Sequence, residues 1–537
     1  MTAHQQRLDA LIVGAGFAGI YMLHRLRQQG LKAQVIEAGS GVGGTWFWNR
    51  YPGARCDIPS IEYSYQFSAA LQQEWEWTEK YASQDEILRY AEHVVDRFRL
   101  RDGIKLNTRV DAAHFLEEDD AWSVSLSDGG QITARYVVMA TGCLSKPNYP
   151  SIPGLDDTQI PVYHTARWPH EGVDFSGLNV AMIGTGSSGI QSAPMVAGQA
   201  DSLTVFQRTP NYSIPAHNAP LDPAYVRDIK ARYADYRAEN WQRGFGADFN
   251  ENDQSALEVA DEVRREAYEA RWAKGGLAFL AAFNDLIFDR QANDTARDFF
   301  IEKISARVDD PELAKKLMPD MPIGCKRLCV DTNYYEIYNE PHVRLIDITE
   351  TPIQQVTDRA VVTDEAECPV DAIILATGFD AMTGAILDMD IRGIAGQSLK
   401  QKWRSGPKTY LGLATAGFPN LFMVSGPGSP SVLSNMLPTI EQHVGWIADC
   451  IDHMEQHDYR RISVMPEAEE AWAHHVNEVA DASIYPSCNS WYLGANVAGK
   501  SRVFMPYIGV PPYVAKCEEV VAQGYQGFNL VPTGTGS

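Results

Sequence analysis

Apolar residues in this chain alternate between short unbroken runs and longer stretches with helical spacing. Ala10-Leu11-Ile12-Val13 is an unbroken run of the kind that forms a strand buried on both faces. The glycine turn Gly14-Ala15-Gly16-Phe17-Ala18-Gly19 follows, then a helical pattern, a second run Gln34-Val35-Ile36, and the acid Glu37. Residues 81–100 have helical periodicity. Residues 104–122 and 122–136 read as strands of an antiparallel meander that ends in Ala140-Thr141-Gly142. After the proline-rich linker 146–154 the opening pattern returns. Residues 178–183 predict a strand, Gly184-Thr185-Gly186-Ser187-Ser188-Gly189 a second glycine turn, and Leu203-Thr204-Val205-Phe206 the next strand.

The pattern then changes. Residues 222–243, 255–274, 277–290 and 295–308 predict amphipathic helices. Strands resume at 343–346, 356–362 and 370–375, the last closing on Ala376-Thr377-Gly378. Further strands are expected at 410–414 and 421–425, before Gly426-Pro427-Gly428. Helical patterns follow around 434–453 and 466–482, then a polar loop over 489–500. The tail 534–537 predicts disorder.

A strand, a glycine turn, a helix and a strand ending in an acid make a dinucleotide-binding unit. Gly14 permits the tight turn, Gly16 lets the backbone approach a pyrophosphate, and Gly19 lets the helix pack against the strand. Glu37 is placed to bond the hydroxyls of an adenosine ribose. Gly184, Gly186, Ser187 and Gly189 repeat the turn, and Gly184 to Gln207 spans the same 23 positions as Gly14 to Glu37. The second unit lacks the acid: Gln207 stands there, followed by Arg208 and Thr209. Loss of the acid beside a cation suits a ribose bearing a 2′-phosphate. The first unit therefore predicts FAD and the second NADPH. The expected fold class is α/β, with two Rossmann-like dinucleotide-binding domains and an inserted helical subdomain. The expected FAD-binding domain comprises 1–147 and 380–537, the NADP-binding domain 148–214 and 326–379, and the helical insertion 215–325.

Composition narrows the partners. The 537 residues carry 46 basic and 69 acidic side chains, a net charge of −23, which argues against nucleic acid or an anionic membrane. No window is long and apolar enough to predict a membrane span, and no signal peptide precedes the first strand. The eight cysteines are scattered, with no CxxC pair, and read as reduced thiols of a cytoplasmic protein. Cys325 and Cys329 bracket two basic residues without nearby histidines, so no metal site is expected. Oligomeric state stays open, a monomer or weak dimer being the expectation.

Two nucleotide sites imply electron transfer from a nicotinamide to a flavin. A disulfide reductase would need a CxxC or CxxxxC beside the flavin, and neither is present. Oxygen or an organic acceptor is left. Gly44-Thr45-Trp46-Phe47-Trp48, running on to Pro52-Gly53-Ala54-Arg55-Cys56-Asp57, suits a loop crossing a flat ligand, with Trp46 and Trp48 as a wall or as core aromatics.

That segment, together with His164-Thr165-Ala166-Arg167-Trp168-Pro169, Cys325-Lys326-Arg327-Leu328, Ala376-Thr377-Gly378-Phe379-Asp380 and Ser490-Trp491-Tyr492, resembles the type I Baeyer–Villiger monooxygenases. The resemblance covers the whole chain and points to the group containing phenylacetone, steroid and cyclohexanone monooxygenases. It departs at the family signature Phe-x-Gly-x-x-x-His-x-x-x-Trp-Pro, where Thr158 and Ile160 replace Phe and Gly. The resemblance implies that NADPH reduces FAD, that O2 forms a flavin C4a-peroxide, and that this attacks a ketone to give an ester or lactone. It implies Arg327 as the cation that stabilises the peroxide anion, with Asp57 modulating it. It further implies Lys326 beside the 2′-phosphate with Arg208 and Thr209, and Trp491 on a loop closing over the nicotinamide. His164 and Trp168 would couple the domains. Val432, Leu433 and Met436 would lie at the substrate and cofactor pocket. Two other readings remain: a flavin monooxygenase oxidising sulfides or amines, and a non-catalytic NADPH-sensing or scaffold protein.

Overall fold

A computed structural model describes residues 6–497, 499 and 506–534. Gln6–Val13 lies in an eight-stranded sheet between Ala33–Ile36 and Gln131–Met139, parallel to both. Ala10, Leu11 and Ile12 are wholly buried, as an unbroken apolar run requires when both sheet faces are covered. Gln131–Met139 continues antiparallel into Ala121–Leu126 and Val110–Leu116, the expected meander. Leu421–Met423 returns late in the chain and pairs parallel with Gln131–Met139. The second sheet is all parallel, in the order Val343–Asp347, Ser202–Gln207, Asn179–Ile183, Ala372–Leu375, Val162–His164. Each sheet thus places a glycine turn at the carboxyl end of a central strand, where open α/β sheets receive ligands.

The helices Gln84–Arg97, Met436–Gln456 and Pro466–Asp481 form as their apolar spacing predicts. The inserted region differs in detail. Residues 222–243 form two helices, Pro223–Ala231 and Tyr233–Trp241, because Arg232 leaves helical geometry at ψ 26°. The helix expected from 255 begins only at Asp261, in Asp261–Lys274. The helix expected over 277–290 is a short 3-10 turn, Leu277–Ala281, followed by irregular chain. Polar side chains there serve other partners: the Asp285 carboxylate accepts from the Ser255 hydroxyl at 2.6 Å, and Asp289 caps the next helix, Arg290–Ser305, by accepting from Gln291 N–H at 2.7 Å.

Two strand expectations also change. Residues 356–362 are a hairpin of Ile353–Val356 and Ala360–Thr363, turned where Thr357 N–H donates to the Ala360 carbonyl at 2.9 Å. Residues 410–414 make only a single bridge, since Leu411 and Gly412 both adopt positive φ. The loop over 489–500 is described only in part, and three of the four tail residues 534–537 lie outside the described residues. Among the described residues, no helix is long and apolar enough to cross a membrane.

Thr158 and Ile160, the departures from the family signature, have local uses. The Thr158 hydroxyl donates to the Thr357 carbonyl at 2.8 Å and accepts from Ile160 N–H at 3.1 Å. Ile160 is buried with Val356, Val361 and Ile373. The linker is therefore pinned to the small antiparallel sheet by a side chain instead of a glycine turn.

Candidate active site at the meeting of two nucleotide cradles

The first cradle is built from backbone. Gly14 has φ +104°, and a Cβ there or at Gly19 would collide with backbone carbonyl oxygens of Ala140 or Gly14. Gly16 caps the helix Phe17–Gln28, leaving its first N–H groups free to face a phosphate. Gly44, at φ +55°, passes directly against Gly16. Glu37 is buried, its two carboxylate oxygens accepting from Ala15 N–H and Gly39 N–H, each at 2.7 Å. Each oxygen keeps lone-pair capacity for a hydroxyl. Thr45 begins the short helix Thr45–Trp48 with an exposed side chain, while Trp46 is buried and donates to the Tyr63 hydroxyl at 3.2 Å. Trp48 is covered by the Arg167 guanidinium, 4.3 Å from the ring centre.

The second cradle repeats the first. Gly184 has φ +112° against Ala376, and a Cβ on Gly189 would meet the Gly184 carbonyl. A Cβ on Gly186 would meet nothing within 4 Å, so this turn faces open space at the N-terminus of Ser187–Ala197. Arg208 is exposed and Lys326 half-buried. Burial, and then the charge of Arg208, lower the pKa of Lys326. Two cations near enough for one to depress the other's pKa fit a doubly charged phosphate. The Thr209 carbonyl accepts from Thr185, which ties this corner to the glycine turn at 2.9 Å.

Arg327 lies where the cradles meet, just before the strand Cys329–Asp331. Its Nε and one terminal nitrogen donate to the two Asp57 carboxylate oxygens, both at 2.9 Å, and its other terminal nitrogen donates to the Val432 carbonyl at 2.8 Å. Burial is the largest single effect and disfavours its charge, but Asp57 foremost, with Tyr492 and Cys56 adding to it, together raise its pKa above the ordinary arginine value. The pair is the fork-to-fork geometry that only guanidinium offers. Val432 and Leu433 are buried with Cys143, Tyr485, Tyr492 and Leu493, and Met436 and Trp491 pack against the same cluster.

Three features around Arg327 were not foreseen from the sequence. Phe245, from the inserted region, lies 5.7 Å from the guanidinium. Its carbonyl accepts from Asn435 N–H at 2.8 Å, which brings the insertion up to the start of the helix Met436–Gln456. Tyr485 is pushed up to about 12 by burial, against the pull of Arg327. Cys325, expected to be a reduced thiol, is joined to Cys488 by a disulfide. Spacing alone could not pair cysteines 163 residues apart.

His164 is buried, and its Nδ1 accepts from Ala166 N–H at 3.0 Å. Its Nε2 is then the protonated nitrogen and donates to the Thr377 hydroxyl at 3.3 Å, which donates to the Asn148 carbonyl at 2.6 Å. Trp168 is buried beside Tyr163 and Phe175. Burial drives the His164 pKa down to about 4, with the Asn148 carbonyl opposing and Arg167 assisting. Burial takes His443, between Ser425 N–H and the Tyr513 hydroxyl, to about 3. The unfolded chain protonates these rings near 6.5 and the folded chain does not. Stability present above pH 6.5 is therefore lost as pH falls toward 4 and 3. His164→Asn is expected to flatten the fall in melting temperature of the FAD-loaded protein between pH 6.5 and 4. One proton corresponds to about 1.4 kcal/mol per pH unit. An unchanged slope would remove His164 from this role.

A family model described as pyridine nucleotide-disulphide oxidoreductase matches residues 11–263. A Baeyer-Villiger monooxygenase of Pseudooceanicola batsensis is 40% identical, aligned over 96% of this chain and 95% of its own. The chain belongs to the Baeyer–Villiger monooxygenases. Phenazine N-monooxygenase of Lysobacter antibioticus is 41% identical over 97% of both chains. The solved structure of oxidized steroid monooxygenase bound to NADP superposes with a TM-score of 0.94 at 50% identity, covering 98% of this chain and 100% of that one. As a Baeyer–Villiger monooxygenase the protein is an enzyme that uses FAD, NADPH and O2 to oxidise a ketone, and both cradles fit those nucleotides.

Proposed function

We propose that this chain converts a ketone to an ester or lactone in the pocket beside Arg327, with Asp57 and Arg327 acting as one unit. FAD, when bound, supplies the two-electron relay between NADPH and O2. What the protein adds is a permanent, oriented positive charge in a pocket walled by Val432, Leu433, Tyr485 and Tyr492. Such a charge lowers the cost of anionic oxygen where water is excluded, and it needs no reorganisation when the reaction occurs. The bidentate Asp57–Arg327 pair carries this reading, because it aims a guanidinium that would otherwise swing freely.

Gly14, Gly16, Gly19, Glu37, Gly44, Thr45 and Trp46 would hold FAD. Gly184, Gly186, Ser187, Gly189, Arg208, Thr209 and Lys326 would hold NADPH. Trp491 would close over the nicotinamide, Met436 would lie at the cofactor and substrate pocket, and His164 with Trp168 would link the nucleotide domains. The FAD-binding domain would be 1–147 with 380–537, the NADP-binding domain 148–214 with 326–379, and the insertion 215–325. A cytoplasmic location is part of the same reading.

The test is a panel of small cyclic, aryl, long-chain and steroidal ketones, with a phenazine and a sulfide alongside, scored by product mass. At least one ketone is expected to gain a single oxygen as ester or lactone, with NADPH consumed in proportion. N-oxide or sulfoxide from the added compounds, with no ester from any ketone, would reject the proposal. NADPH loss alone is not a readout, because peroxide release also consumes it.

A further inference from the structure

Cys325 directly precedes Lys326 and Arg327, and Cys488 lies shortly before Trp491. Their disulfide joins two parts of the site, with Cα atoms 6.2 Å apart, an ordinary span for such a bond. The remaining six cysteines are free and buried. The two halves of the bridge differ in surroundings. Cys325 is wholly buried on a framed turn: Asn293 donates to the Ile323 carbonyl at 2.8 Å and accepts from Ile323 N–H at 2.9 Å. Cys488 is half-buried between the exposed residues Ser487 and Asn489, which makes it the less enclosed half of the bridge.

Beyond Cys488, the described chain to Val497 is tied down at its far end by Asn496. Its side chain donates to the Phe379 carbonyl at 2.6 Å, and its own carbonyl accepts from Asn148 at 3.2 Å. Between these anchors Trp491 and Tyr492 meet the pocket cluster. The disulfide is thus the near anchor of the segment that covers Arg327, and it is covalent.

We propose that Cys325–Cys488 is a redox modification site, closed by hydrogen peroxide and opened by a dithiol, that sets how firmly the 488–497 segment is held over the nucleotide. In closing, the two thiols lose their hydrogens and two electrons, and one hydrogen peroxide is reduced to two waters. In opening, a dithiol's thiolate attacks Cys488 Sγ and Cys325 leaves as a thiolate that takes a proton. The reductant's second thiol then completes its own disulfide and frees Cys488. The oxidant has a local source. When O2 is reduced without a ketone to accept oxygen, NADPH, a proton and O2 give NADP+ and hydrogen peroxide. The site would then tighten in response to the enzyme's own uncoupled turnover. The inference rests on Trp491 closing over the nicotinamide.

The test uses the full-length, FAD-loaded enzyme. Native alkylation followed by peptide mass analysis is expected to find Cys325 and Cys488 linked, labelled after dithiothreitol, and protected again after hydrogen peroxide. NADP+ is expected to bind the oxidised form about tenfold more tightly than the reduced form, within the usual range of coupling between sites. Protease should cut within 488–497 faster after reduction. Cys488→Ser should match the reduced form and ignore peroxide. The proposal is overturned if no linked peptide is found, or if dithiothreitol cannot open the bridge in the folded enzyme. It also fails if both redox forms bind NADP+ and resist protease equally. None of these readouts requires ester formation, so failure of the ketone assay would be separately visible.

Discussion

Arg327→Ala is expected to slow ester formation by about 10³-fold while NADPH still reduces the bound flavin, because a preorganised charge at the reacting oxygen contributes on this scale. The reason is geometric. Three of the guanidinium's nitrogens are already committed, two to Asp57 and one to the Val432 carbonyl, so the charge is aimed before substrate arrives. Lysine at this position would keep the charge and lose the fork, so Arg327→Lys should recover only part of the rate. Removing Arg327 also leaves the Asp57 carboxylate half-buried without its partner, so a companion Asp57→Asn change separates loss of the cation from loss of the pair. Rapid-mixing absorbance reports flavin reduction, and product mass reports ester. Ester at the original rate from the alanine variant would end the assignment of Arg327.

Arg208→Ala combined with Lys326→Ala is expected to raise KM for NADPH by at least about 10²-fold, since each of the two charge-assisted phosphate contacts is worth about 1.5 kcal/mol or more. NADH, which has no 2′-phosphate, should be affected far less, so the enzyme's preference between the two reductants collapses. The lowered pKa of Lys326 gives the physical motive: burial and Arg208 both press on its charge, and a bound phosphate would offset both. Single variants should show unequal effects, with Lys326 the larger because it is the more buried. Equal rises in KM for both reductants would mean that these cations support the fold and do not read the phosphate.

How much was legible in the chain follows from which interactions are local. Both glycine turns and their flanking strands come from apolar runs and from backbone positions where a Cβ has no room. The neighbours of Gly14 and Gly184 are the Ala-Thr-Gly segments that the sequence also marked, at Ala140 and Ala376. The inserted region was legible only as helical. Its helix ends are decided by Asp285, whose partner Ser255 lies 30 residues away, by the Asp289 cap on the next helix, and by the non-helical backbone at Arg232. The expectation of eight reduced thiols failed for the same reason, since nothing near Cys325 in sequence announces Cys488.

Residue order by itself determined two nucleotide cradles, the difference between an acid at Glu37 and a cation at Arg208, and the basic pair Lys326-Arg327. Each is a matter of neighbours along the chain, where fixed bond geometry leaves little choice. Only the tertiary structure decided that Arg327 would meet Asp57, Val432 and Phe245, and that Cys325 would meet Cys488. Those contacts join segments 82 to 270 residues apart, and they form because packing two sheets, an insertion and a late-returning strand leaves one buried corner where a charge must find a partner.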